Sequence, residues 1–149
     1  PVDMKKRPEK LNDLIHFFES LPENERRENL MLFADKVEKW NPDPNSDYDI
    51  KDIRKDKQCT DTVGVFVRIN KGRVFFRMRL GPRVQTLTRA ISSILCEVSE
   101  GESIERIQAI EKMAISRIVG QELVRLRSQT VYYILERMKA TLDQIKSTQ

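Results

Sequence analysis

Histidine occurs once and cysteine twice in the 149 residues of the chain. That scarcity excludes most metal chemistry. The two cysteines and His16 do not stand at ligand spacing, and an iron–sulfur scaffold needs about four protein ligands. His16 lies between apolar positions of a helical stretch, where a packing or surface role is expected. No glycine-rich phosphate loop is present, and no Cys-His-Asn arrangement. No apolar run approaches the ~18 residues of a membrane span. The opening "PVDMKKRPEK" has no hydrophobic stretch of signal-peptide type. Two cysteines far apart make no disulfide framework, so a reducing, cytoplasmic setting is expected.

Acidic residues are missing from one long interval. None stands between Asp61 and Glu97, whereas Arg68, Lys71, Arg73, Arg77, Arg79, Arg83 and Arg89 all do. The net charge is only +4, so the uneven spread carries more meaning than the total. Such a field attracts an acidic partner surface or a polyanion. The alternative is a solvated basic face without a partner.

What is present reads as one domain over residues 1–149, with a core over about 8–145 and flexible ends. A first helix runs from about Pro8 to Ser20, with Leu11, Leu14, Ile15 and Phe18 as its apolar stripe. "SLPE" reads as a capping box in which Ser20 and Glu23 open a second helix, continuing to about Lys39. "NPDPNSD" breaks the periodicity, and an irregular loop is expected from Asn41 through to Cys59. Val63, Val65, Val67 and Ile69 then alternate with Gly64, Phe66 and Arg68. After "NKG", Val74, Phe76, Met78 and Leu80 alternate with Arg73, Phe75, Arg77 and Arg79. This is a hairpin with one aliphatic face and one face of arginine with two phenylalanines. A three-residue loop would mix the faces, so an even-length loop or an irregular register is expected. Helices follow over about Val84–Ser99, Ile104–Met113 and Ser128–Ile145. Helices, antiparallel strands, then helices again make an α+β fold.

The two cysteines differ in setting. Cys96, in "SSILCEV", is expected to be a small buried hydrophobe of an amphipathic helix. Cys59, in "DKQCTDT", ends a loop beside Lys57 and a basic sheet. A positive surround favours the reactive thiolate, while Asp56 and Asp61 oppose it. Local sequence leaves open whether Cys59 is a working thiol or an accident of the sheet edge. A second pattern competes. "KGRVFFRM" partly matches the octapeptide of RNA-recognition sheets, so the Arg/Phe face of the 63–80 hairpin forms a candidate single-strand RNA-binding surface. The aromatics expected at the octapeptide's third and last positions are replaced by Arg73 and Met78, and the βαββαβ order is absent.

From about Leu11 to Lys139 the chain resembles the SufE family of sulfur acceptors. "FFESLPENERRENLMLFADKV" is similar to that family's two opening helices, and a proline-rich loop follows in both. The family motif glycine-cysteine-x-serine-x-valine-tryptophan falls on "QCTDTVG". Gln58, Asp61 and Gly64 stand there for the family's glycine, serine and tryptophan. "NKGRVFF" resembles its "DG.L.F" hairpin, and "LTRAISSILCEVSEGESIERI" its "IV.GL.ALL.ALYSG.TPEEI". "LVRLRSQT" puts Arg127 on the family's arginine, and "RVQT" replaces its acidic "SDA". The resemblance implies an antiparallel sheet packed against N- and C-terminal helices (SufE/IscU-like). It implies a sulfur-transfer accessory protein rather than a stand-alone enzyme. Cys59 would take persulfide sulfur from a cysteine desulfurase and relay it to an iron–sulfur assembly scaffold. It would need no cofactor of its own, the pyridoxal phosphate belonging to the desulfurase. Arg127 would stabilise the thiolate or persulfide anion, unless it is only a structural helix-start arginine. Lys57, Arg68, Arg73, Arg77 and Arg79 would meet the partner. Neither membrane nor nucleic acid is then expected as a partner, and a homodimer stays open.

Overall fold

The computed structural model describes residues 6–148, so the outermost ends expected to be flexible lie outside the described residues. Within that span the elements run α1 (Glu9–Glu19), α2 (Glu23–Asp35), a 3-10 turn (Val37–Trp40), β1 (Ile50–Arg54), β2 (Val63–Asn70), β3 (Arg73–Leu80), α3 (Thr86–Ser99), α4 (Ile104–Gln108), α5 (Lys112–Val119), α6 (Gln121–Leu126) and α7 (Tyr133–Thr148). The strands form an antiparallel sheet in the order β1-β2-β3. The fold is α+β.

The hairpin keeps its faces separate, as alternation requires. Asn70 pairs with Arg73, leaving the two-residue turn Lys71-Gly72. Both turn residues have positive φ, +52° and +76°, the mirror-image turn whose twist matches the strands. Val63, Val65 and Val67 therefore face Leu80, Met78 and Phe76 on one side of the sheet. That side is the core: Val63, Val65, Val67, Val74, Phe76 and Met78 are all fully buried. They join the apolar stripes of α1, α3 and α7 in one cluster. Truncating a side chain like Phe76 would cost about 3–5 kcal/mol, through lost transfer energy and the cavity left behind.

Four local expectations change. Ser20 does not cap α2: its hydroxyl donates to Phe17 O at 2.7 Å and closes α1, while Pro22 takes the N-cap of α2. The segment from Asn41 to Cys59 is not loop throughout, because it contains β1. Register places Ile50, Asp52 and Arg54 on the inner face and Lys51 and Ile53 outside. Two inward charges and an exposed isoleucine reverse the usual strand pattern; inward charge is a common guard on edge strands. The helix expected over Ile104–Met113 ends at Gln108, and Lys112 already belongs to the separate α5. Between α5 and α7 lies α6, separated from α5 by Gly120 at φ +90°, a conformation that L side chains rarely adopt. α7 opens at Tyr133, five positions after Ser128.

Candidate functional site: the Cys59 loop

Cys59 sits in the loop 55–62, between the end of β1 and the start of β2. The loop is tied down on both sides. On its near side the Cys59 N–H donates to Asp56 O at 3.1 Å. The Asp56 carboxylate accepts from Tyr133 Oη at 2.7 Å and from Arg54 Nε at 3.0 Å. These bonds hold the Asp56 carboxyl below its usual value, the Tyr133 bond contributing most. On its far side Thr60 Oγ1 donates to Arg83 O at 2.6 Å. The Asp61 carboxylate accepts from Arg83 N at 2.9 Å and Thr62 N at 2.7 Å, and is held low by those two backbone donors. Gly81 makes room for it: a Cβ there would lie 2.4 Å from the Asp61 carboxylate. Arg89 props the same turn, donating to Gly81 O and Val84 O at 2.7 and 3.0 Å.

Between these ties the thiol points inward. Cys59 is only 7% exposed and belongs to the core cluster, although its neighbours Gln58 and Thr60 are exposed. Cys96 lies in mid-α3, wholly buried, and burial pushes its thiol far up from the usual range. The two thiols thus differ in how they could be reached. Freeing Cys59 means moving a short loop, whereas freeing Cys96 means unfolding a core helix.

The base of the loop rests on a group without a local sequence signal. Arg137 of α7 is 2% exposed. Its Nη2 donates to Asp52 O at 2.7 Å and Val63 O at 2.9 Å, its Nε to the Asp52 carboxylate at 3.3 Å, and its Nη1 to Tyr133 Oη. One guanidinium therefore bridges β1 and β2 where the loop leaves and rejoins the sheet. A cleft of about 310 Å³ opens beside it, lined by Arg54, Asp56, Gln58, Tyr133, Glu136, Arg137 and Ala140.

The basic residues are not one patch. Arg79 pairs with Gly64 next to the loop, whereas Arg73 pairs with Asn70 at the hairpin tip. The six-residue offset is about 20 Å at ~3.3 Å per residue. Arg68 stacks on Phe75 and Arg79 on Phe66, with centroid distances of 4.8 and 5.1 Å. Arg73 Nη1 donates to Gly101 O at 3.2 Å. Arg77 leaves the basic face for Glu100, making two bonds of 3.1 and 3.0 Å, and lies over the Trp40 ring. Exposed positive charge near Cys59 therefore comes from Lys55, Lys57, Arg79 and Arg83. Sequence reasoning did not single out Arg83 as a site residue.

Arg127 ends α6 and is exposed; among the described residues its guanidinium reaches Leu126 O alone, at 3.5 Å. It borders a groove of about 480 Å³ whose floor is Leu30, Leu87, Ala90 and Leu123. Gln85 also lines that groove, two residues beyond the Arg83 that holds Thr60. Arg127 is thus at the same end of the molecule as Cys59, and no hydrogen bond or ion pair joins the two among the described residues.

Among the described residues no three His, Cys, Asp or Glu side chains gather where a metal could bind, and no helix is long and apolar enough to cross a membrane.

Two solved structures share the fold. A hypothetical protein from Thermus thermophilus superposes with a TM-score of 0.71 at 23% identity, over 95% of this chain and 98% of that one. The N-terminal part of a nitrogen-fixing NifU-like protein from Brucella abortus gives 0.63 at 17% identity, over 80% and 93%. No curated protein matches the chain. Residues 12–142, spanning every element from α1 to most of α7, match SufE, the Fe–S metabolism associated domain, and the chain belongs to that family, with a role in iron–sulfur cluster metabolism.

Proposed function

We propose that Cys59 accepts sulfur as a persulfide from a cysteine desulfurase and relays it to an iron–sulfur assembly scaffold. The observation that carries this reading is the contrast between the two thiols. One lies on a short loop pinned by a handful of bonds, and the other is sealed in a core helix. In the transfer step the Cys59 thiolate attacks the outer sulfur of the desulfurase persulfide. A new S–S bond forms at Cys59, the old one breaks, and the desulfurase cysteine leaves as thiolate. No net oxidation occurs, and no co-reactant is needed.

The inward pose of Cys59 suits a carrier. A persulfide held against the sheet is shielded from stray thiols, and the loop must swing out to reach a partner. Lys57, Arg79 and Arg83 would meet the desulfurase beside the loop, with Arg68 and Arg73 further along the sheet. Arg77 is engaged by Glu100 and contributes less. Arg127 would face the partner across the neighbouring groove and steady the persulfide anion once the loop is out.

The RNA-binding alternative finds less support. Phe66 is 3% exposed, packed edge-on against Tyr48, and Phe75 lies under Arg68. A stacking platform needs open aromatic faces.

Intact mass after mixing with desulfurase, its cofactor and cysteine tests the proposal. The chain should gain sulfur. Cys59→Ser should abolish the gain with the fold intact, and Cys96→Ser should keep it. Loss of loading in Cys96→Ser alone would overturn the assignment.

A further inference from the structure

α7 holds more than the core. Arg137 and Tyr133 lie one helical turn apart on it, and both face the stems of the Cys59 loop. Arg137 is the deeper of the two. Its Nη2 bonds reach Asp52 O in the middle of β1 and Val63 O at the start of β2, and the residue is 2% exposed. Tyr133 reaches further out. It accepts from Arg137 and donates to Asp56, whose side chain is 30% exposed. Asp56 O is in turn the acceptor for the Cys59 N–H. A chain of bonds therefore runs from a buried guanidinium to the residue carrying the thiol. Its inner links are dry and its outer link is wetted.

We infer that Arg137 and Tyr133 are positioning residues for Cys59: Arg137 fixes the hinge of the loop, and the Tyr133–Asp56 bond is the latch that keeps the thiol inward. This rests on the sulfur-carrier reading only for its purpose, because the latch itself is a statement about when Cys59 can react. Opening breaks the outer bond, the Cys59–Asp56 turn and the Thr60–Arg83 tie. The loop swings on stems that Arg137 still holds together, so the sheet and α7 stay in place. The Asp52 side chain, turned inward against the habit of a strand, meets Arg137 on α7, and Arg54 beside it bonds Asp52 and Asp56.

The test is alkylation of the full-length chain by iodoacetamide, read by peptide mass at Cys59 and Cys96 separately. Cys96 reports global loosening and Cys59 reports the latch. Tyr133→Phe keeps the ring and removes the one hydroxyl. It should raise the Cys59 rate about tenfold, the loss expected for a hydrogen bond to a charged group made only in the closed state. Cys96 should stay unlabelled. Asp56→Ala, which also frees Arg54 Nε, should raise the rate at least as much, and the double variant should be no faster than Asp56→Ala alone, since the Tyr133–Asp56 bond is already gone in it. The ratio of rates between variant and wild type should hold across the pH profile, because access changes rather than thiol ionisation. An unchanged Cys59 rate in folded Tyr133→Phe would overturn the latch. So would a parallel rise at Cys96, additive single effects, or a ratio that collapses at high pH. The assay contains no desulfurase. A latch that opens as stated in a chain that takes up no sulfur would leave this inference standing and remove the sulfur-carrier reading alone.

Discussion

Reversing Arg77 to glutamate should cost the fold about 3 kcal/mol, although the sequence places this residue on a solvent-facing basic strand. Three contributions add up. The paired bonds from Arg77 to Glu100 make one bidentate ion pair, a charged interaction worth ~1.5–3 kcal/mol when shielded. The two side chains are 24% and 30% exposed, so the pair belongs at the low end of that range. Stacking over Trp40 at 5.3 Å adds about 0.5–1 kcal/mol. A glutamate at position 77 would then face Glu100 with like charge, worth about 1 kcal/mol or more at ~4 Å in a partly wetted site. For a chain of this size ~3 kcal/mol lowers Tm by roughly 6–12 °C.

The assay is urea unfolding, followed by far-UV circular dichroism at constant m-value. A cycle of Arg77→Ala, Glu100→Ala and the double variant isolates the pair, with a coupling of about 1–2 kcal/mol expected. Arg79→Glu is the control: Arg79 is exposed and engages only the Phe66 ring, so its cost should stay below about 1 kcal/mol. A coupling near zero, or equal costs at 77 and 79, would refute the reasoning and return Arg77 to the docking face.

Three further outcomes follow from the site. Lys57→Glu with Arg79→Glu should slow association with an acidic desulfurase surface, most at low ionic strength, and transfer at saturating partner should recover; unchanged association kinetics would remove the basic rim from docking. Asp56→Asn should destabilise the chain at neutral pH. The fold holds the Asp56 carboxyl below its ordinary 3.8, so its contribution is present above that value and lost as pH falls through the lower folded value; the gap between variant and wild type should close in acid, and a gap constant with pH contradicts it. Gly81→Ala should displace the Asp61 carboxylate from Arg83 N and Thr62 N and speed Cys59 alkylation, and a wild-type rate would show that this tie does not hold the loop.

The hairpin was legible because its information is local. Val63 to Ile69 and Val74 to Leu80 alternate without a break, and only an even turn keeps their faces apart. β1 was not, because Asp52 and Arg54 lie on the inner face of the strand, and Asp52 finds its partner on α7. Asp52 and Arg137 are 85 positions apart, and nothing near either residue announces the other. The same holds for Tyr133, whose partner Asp56 lies 77 positions away. α5 and α6 are too short for periodicity to declare them, and the chain turns at Gly120 between them. Cys59 could be picked out by motif resemblance, but its inward pose could not. That pose depends on Arg83, Asp61 and Gly81, which lie on both sides of the hairpin and meet only after it closes.

The wild-type thiol itself yields a number. Swinging the loop tip out breaks the Tyr133–Asp56 latch, the Cys59–Asp56 turn bond and the Thr60–Arg83 bond and exposes a small apolar side chain. At ~1 kcal/mol net for each hydrogen bond, and about as much again for burying the thiol, the closed pose leads by roughly 4 kcal/mol. The open form is then about one molecule in a thousand. A partner that engages only the open form binds weaker by that fraction, so docking must supply at least the same free energy to hold the loop out. Cys59 in the free chain should accordingly react with iodoacetamide about a thousandfold more slowly than the same thiol in the urea-unfolded chain, and desulfurase bound without turnover should erase most of that protection. Reaction at the unfolded rate would mean that the ties on the two sides of the loop do not hold, and that the thiol waits in the open.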